Sequence, residues 1–181
     1  MVKIQPWQLI YEERHFHSYI KNGLIVDSGV LLKFLKWCYL KDKEDANLSK
    51  EQKKMFDQLE RFLSINCNKY ITQHILAELS NLINVRRGNL GSFSDFINLI
   101  KTKLKDYCEI SIEKERVLQG NIVNEFGIAD AGMVLLSKES DKIILTYDEP
   151  FCNECKYKQN LPVIYLQDLD SLFLTLECLP K

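Results

Sequence analysis

The chain has 181 residues with only 7 Gly and 4 Pro, about half the usual share, which argues against collagen-like, linker-rich and disordered architectures. Hydrophobic residues at 46 % and charged residues at 27 % are ordinary for a globular protein, and a chain this long buries roughly 70 % of the surface it exposes when unfolded. Twenty-four basic against 25 acidic side chains leave a net charge of −1, which argues against a broad basic surface for coating nucleic acid but permits a local basic patch.

The segment 1–22 carries Glu12, Glu13, Arg14, His15 and His17 and lacks the apolar centre of a signal peptide. No run approaches the roughly 18 apolar residues of a membrane span, so a cytoplasmic chain without membrane contact is expected. Leu24-Ile25-Val26, bounded by Gly23 and Asp27, reads as a strand buried on both faces. Val30 to Tyr39 is apolar nearly all round and reads as a buried helix, and the charged stretch Lys41 to Asn47 as a loop. Ser49 is placed to cap a helix whose Met55, Phe56, Leu59, Phe62 and Leu63 recur at helical spacing. Tyr70-Ile71 predicts a very short strand, and Thr72 the cap of a helix carrying Ile75, Leu76, Leu79, Leu82 and Ile83.

Gly88 and Gly91 bracket a turn before a helix marked by Phe93, Phe96, Ile97, Ile100 and Leu104. A strand over Cys108 to Ile112 and a short helix over Glu113 to Leu118 follow, then a nearly all-apolar helix from Ile128 to Leu136. Ile143-Ile144-Leu145 within Lys142 to Thr146 and Val163 to Leu166 read as further strands, and Leu169 to Leu176 as a closing helix. Alternating strands and helices predict an α/β fold: a three-layer α/β/α sandwich around a central, mostly parallel sheet. One domain over 1–181 is expected, with an N-terminal extension (1–22), a core (23–166) and a C-terminal helix and tail (167–181).

Four acids fall in positions that hydropathy alone does not favour. Asp27 ends the first apolar strand, and Asp148 lies just past Ile143-Ile144-Leu145. The ligand crevice of an open parallel sheet lies beyond the carboxyl ends of its strands, and a carboxylate there needs water, a donor or a metal. Capping of the next helix is the structural alternative for each. Glu78 lies at the flank of the Ile75-Leu79-Leu82 stripe rather than opposite it, and Asp130 interrupts an apolar run near a helix start, where the helix dipole alone also favours an acid. If the four converge, they repel one another and raise their own pKa values unless a divalent cation neutralises them, and an all-oxygen donor set suits Mg²⁺ or Mn²⁺.

The order Leu-Ile-Val-Asp27-Ser28, Ile71-Thr72 with Glu78 on the next helix, Gly-Ile-Ala-Asp130-Ala131, and Ile-Leu-Thr146-Tyr147-Asp148 resembles the PIN-domain nucleases. The resemblance runs from about Gly23 to about Leu166 and is most specific from Gly127 to Phe151. It implies a PIN-like sandwich and a metal-dependent endoribonuclease with Asp27, Glu78, Asp130 and Asp148 as catalytic and metal-binding acids, served by one or two Mg²⁺ or Mn²⁺ ions. Ser28 and Thr146 match the hydroxyl residues that support the first and last Asp, while Gly29 stands where the family more often has Asn or Ser. The nearest subgroup is the toxins of toxin–antitoxin pairs, in which the chain starts almost at the first strand. The partners expected are an RNA substrate, an antitoxin protein or a second copy of the chain.

Arg86 and Arg87 close the helix of Glu78, and Lys33 and Lys36 follow Asp27 on the first core helix; both pairs are placed either to meet phosphates or, for the arginines, to serve a helix C-terminus. Cys152 and Cys155 form a lone Cys-x-x-Cys, two ligands short of a structural zinc site, and read as loop thiols. Two other functions compete: a non-catalytic PIN-like domain that binds RNA or protein, and a phosphate-handling α/β domain. No Asp-x-Asp follows the first strand and no Gly-rich phosphate loop occurs, which disfavours the latter.

Overall fold

The computed structural model describes residues 5–11, 13–42, 48–85 and 93–177. Its centre is a sheet of five strands, all parallel, in the order β3-β2-β1-β4-β5: β1 (Leu24–Val26), β2 (Lys69–Thr72), β3 (Cys108–Ile110), β4 (Ile143–Thr146) and β5 (Val163–Tyr165). Helices cover the sheet in a three-layer α/β/α sandwich, as the alternation of strand and helix predicts. β1 lies at the centre, Leu24 and Ile25 in register with Lys69 and Tyr70 on one side and with Ile143 and Ile144 on the other. All three β1 residues are fully buried, the burial expected of an apolar triplet flanked by strands and covered on both faces.

Eleven α-helices surround the sheet among the described residues: α1 (Pro6–Leu9), α2 (Glu13–Asn22), α3 (Ser28–Asp42), α4 (Lys50–Leu63), α5 (Gln73–Val85), α6 (Phe93–Lys103), α7 (Lys114–Leu118), α8 (Ile122–Phe126), α9 (Ile128–Ser140), α10 (Glu149–Asn153) and α11 (Leu169–Glu177). α3 packs against α5 and α6, α9 against α5, α7 and α8, and α4 against α11. Ser49 caps α4 as its sequence predicts: its side chain accepts the Gln52 N–H while the Gln52 side chain accepts the Ser49 N–H. Phe56, Leu59, Phe62 and Leu63 form the buried stripe of that helix.

Two stretches differ from their sequence reading. The N-terminal extension is helical and belongs to the core: Ile10, Phe16 and Ile20 are buried, α2 lies on β4, and the Tyr11 hydroxyl donates to Asp168 at 3.2 Å. Phe16, Tyr19 and Ile20 recur at i, i+3 and i+4, a short apolar stripe set among charged and polar residues. The Cys152/Cys155 segment is no loop: α10 continues into a π-turn over Glu154–Lys158, and both thiols are buried. Burial pushes both thiols up, so they are inert packing groups. Residues 43–47 of the predicted charged loop, and the turn marked by Gly88 and Gly91, lie outside the described residues, whereas Lys41 and Asp42 continue α3.

Gly23 joins α2 to β1 at φ +108°, a backbone that side-chain-bearing residues rarely adopt. A Cβ there would also lie 2.3 Å from Tyr70 Cε2 and 2.9 Å from the Asn68 carbonyl oxygen. The close seating of β1 on β2 therefore depends on the missing side chain.

Candidate active site

The strand order reverses direction at β1, where β2 continues one way and β4 the other. At such a switch point the connections leave toward opposite sides and open a crevice beyond the strand ends. A cavity of about 440 Å³ lies there, lined by Asp27, Glu78, Asp130 and Asp148 together with Ser28, Gly29, Tyr147 and Glu149. Four separate pieces of chain supply the four predicted acids: the end of β1, the middle of α5, the first turn of α9 and the residue after β4 and Tyr147.

Asp27 is only 7 % exposed and is held from several directions. The Thr146 hydroxyl donates to its Oδ2 at 2.8 Å, the Gly29 N–H to its Oδ1 at 3.3 Å, and the Tyr147 N–H also hydrogen-bonds to it. Burial nevertheless outweighs these donors and raises its pKa above the usual carboxylate range. Thr146 is fully buried and uses both capacities of its hydroxyl, donating to Asp27 and accepting the Asp148 N–H at 3.0 Å. It fixes the ends of two adjacent strands relative to each other.

The Ser28 hydroxyl sits between Asp27 Oδ1 at 3.2 Å and Glu78 Oε2 at 2.9 Å. One proton shared across two carboxylates tethers the α5 acid to the β1 acid. Gly29 contributes its backbone N–H to Asp27. Asp148 accepts the Phe151 N–H at 2.8 Å as the N-cap of α10, with Pro150 in the first turn. Capping and site placement, posed as alternatives by the sequence, are both true of Asp148: one oxygen holds the helix and the side chain lines the cavity.

Asp130 is strongly perturbed as well. Burial first, then the negative charges of Asp27, Glu78 and Asp148, push its pKa up to about 8. This mutual repulsion arises because the four acids share one cavity. Among the described residues no three His, Cys, Asp or Glu side chains form a compact metal-binding group. The donor set consists of carboxylate and hydroxyl oxygens, and its excess negative charge suits a hard divalent cation such as Mg²⁺ or Mn²⁺.

Of the predicted phosphate contacts, Lys33 and Lys36 line a groove adjoining the cavity, not the cavity itself. Arg86 and Arg87 lie outside the described residues. Tyr147 was not singled out by sequence reasoning, yet it lines both the cavity and the groove, and its ring carries the Lys33 ammonium at 3.7 Å. Its position between Thr146 and Asp148 was the available signal. No protein-family model and no curated protein matches this sequence.

Proposed function

We propose that this chain is a PIN-type, Mg²⁺- or Mn²⁺-dependent endoribonuclease that hydrolyses RNA phosphodiester bonds at the four-carboxylate cavity. The observation that carries the reading is the convergence of four acids from four chain segments on the switch-point crevice, with Asp130 raised to about 8 by burial and by the other three. A structural set of helix caps has no reason to share one cavity.

Asp27, Asp130 and Asp148 are the residues to hold the ion, and Glu78 either holds it through water or orients the attacking water. When bound, the cation supplies neutralisation of the phosphate charge, polarisation of a phosphoryl oxygen and a more acidic water. The protein's own contribution is preorganisation. Thr146 and the Gly29 N–H lock the Asp27 carboxylate in one orientation, Ser28 sets the distance between Asp27 and Glu78, and the α10 cap fixes Asp148. No histidine lines the cavity among the described residues, so the proton of the attacking water is assigned to the carboxylates, with Glu78 the exposed candidate.

The test is cleavage of a mixed-sequence RNA in Mg²⁺ or Mn²⁺ by the wild-type chain and by Asp130→Asn. Asn keeps the shape and the capacity to serve a helix start, so it folds, while a ligand and a charge are lost. Cleavage by the wild type and its loss in a folded Asp130→Asn are expected. Full activity in the variant would sink the assignment.

A further inference from the structure

The acid cavity cannot by itself attract an RNA backbone. Its lining holds five carboxylates, Glu149 included, and no lysine or arginine among the described residues. Directly beside it, sharing Gly29, Leu82 and Tyr147, runs a groove of about 280 Å³ between α3 and α4. Its chemistry is the opposite: Lys33 and Lys36 along one side, and Leu32, Leu48, Met55 and Phe56 forming an apolar wall. Phe56 is backed by the buried Trp37 ring, stacked parallel at 5.0 Å, so that wall is firmly supported. Lys33 is not a loose surface cation. Its ammonium lies 3.7 Å from the centre of the Tyr147 ring, and Tyr147 in turn packs on Tyr165 with centroids 6.3 Å apart.

We infer that the α3–α4 groove is a nucleotide subsite: Lys33, held on the Tyr147 ring, and Lys36 bind two successive phosphates next to the one being cleaved, and the apolar wall takes a single unpaired base. The inference rests on the nuclease reading for the word "cleaved" but on the groove's own residues for the binding. Lys33 and Lys36 are three residues apart on α3 and thus neighbours on one helix face, spaced to follow a backbone. At about 280 Å³ the groove has room for a base. An apolar wall contacts a base only when that base is splayed out of a helix. Continuity through Tyr147 places this base immediately beside the acids, so the subsite orients the chain as well as holding it.

The test measures binding of a labelled single strand of about eight nucleotides to Asp130→Asn in Mg²⁺, across a range of salt. Lys33→Ala with Lys36→Ala is expected to weaken binding and lower the salt slope by about 1.4, at about 0.7 per single-strand phosphate contact. Met55→Glu, which sets a charge in the apolar wall, is expected to weaken binding about tenfold, within the range for losing one base contact. A duplex of the same sequence is expected to bind more weakly and to be indifferent to Met55→Glu; equal sensitivity would overturn the unpaired base. Lys36→Ala alone, at an exposed position, guards against misfolding of the others. Unchanged affinity and slope in all variants would overturn the subsite, leaving the nuclease reading intact if the wild type still cleaves. Weakened binding in the variants of a wild type that never cleaves would overturn the nuclease and keep the groove as an RNA-binding site. No RNA binding by the parent at any salt would overturn both.

Discussion

Thr146 shows how much of the site depends on a residue that does not line the cavity. Its hydroxyl links the Asp27 carboxylate to the Asp148 backbone, and it is fully buried. Thr146→Val keeps the shape and leaves both partners without it. A loss of about 1–3 kcal/mol of stability is expected, the cost of unsatisfied buried groups, together with a fall in RNA cleavage greater than the loss of folded protein explains. Asp148 permits a cleaner separation at the same scale. Asp148→Ala removes the α10 cap and the charge, and should cost about 1 kcal/mol as well as activity. Asp148→Asn keeps the cap, so its thermal unfolding should resemble the wild type while metal-dependent cleavage is lost. Retained cleavage in Asp148→Asn would reduce Asp148 to a helix cap.

At the scale of elements, α9 carries Asp130 because of where the helix starts. Gly127 precedes it at φ +99° and ψ −179°, a conformation essentially confined to glycine. A Cβ there meets nothing within 4 Å, so the cost of Gly127→Ala is backbone strain alone, about 1–3 kcal/mol. Relief of that strain rotates the first turn of α9, and cleavage should fall with stability. Gly23→Ala adds steric overlap with Tyr70 and Asn68 and should unfold the protein more severely, measured as a lower denaturation midpoint. The central strands were legible because Leu24-Ile25-Val26 and Ile143-Ile144-Leu145 are unbroken apolar runs, which only a strand covered on both faces explains at that length. Asp27 and Asp148 were legible because an acid after such a run is out of place. α2 and α10 were not: the apolar stripe of α2 is the short set Phe16, Tyr19 and Ile20 among charged and polar residues, and α10 is a single turn set by a cap and a proline. The groove was illegible for another reason. Leu48, Met55 and Tyr147 are distant in sequence and meet only through the packing of α3 and α4 beside β4.

For the whole molecule, the clustering of acids makes stability, pH and metal one coupled property. The folded-state pKa values of Asp27 and Asp130 lie above the ordinary 3.8, Asp130 at about 8. From about pH 4 to about pH 8 the folded chain therefore holds protons that the unfolded chain has released. With fewer protons on the unfolded state, stability falls as pH rises through this window, by an amount on the order of a few kcal/mol. Asp170, held below the usual range by hydrogen bonds from Lys54 and Gln58, has the opposite sign and acts only below about pH 4, and from pH 5 to 8 the difference between the wild type and Asp130→Asn isolates the contribution of Asp130. A divalent cation competes with those protons, so Mg²⁺ or Mn²⁺ should raise the unfolding temperature more at pH 8 than at pH 5. At ten times its dissociation constant it contributes about 1.4 kcal/mol. Asp130→Asn removes the raised group and one unit of repulsion together. Its apo form should be at least as stable as the wild type at pH 8, with a flatter pH dependence and a smaller response to metal. The measurement is thermal unfolding at pH 5, 6, 7 and 8 in chelator and in Mg²⁺. An apo stability that rises across this window in the wild type, and does so equally in Asp130→Asn, would show that the four acids do not act on one another.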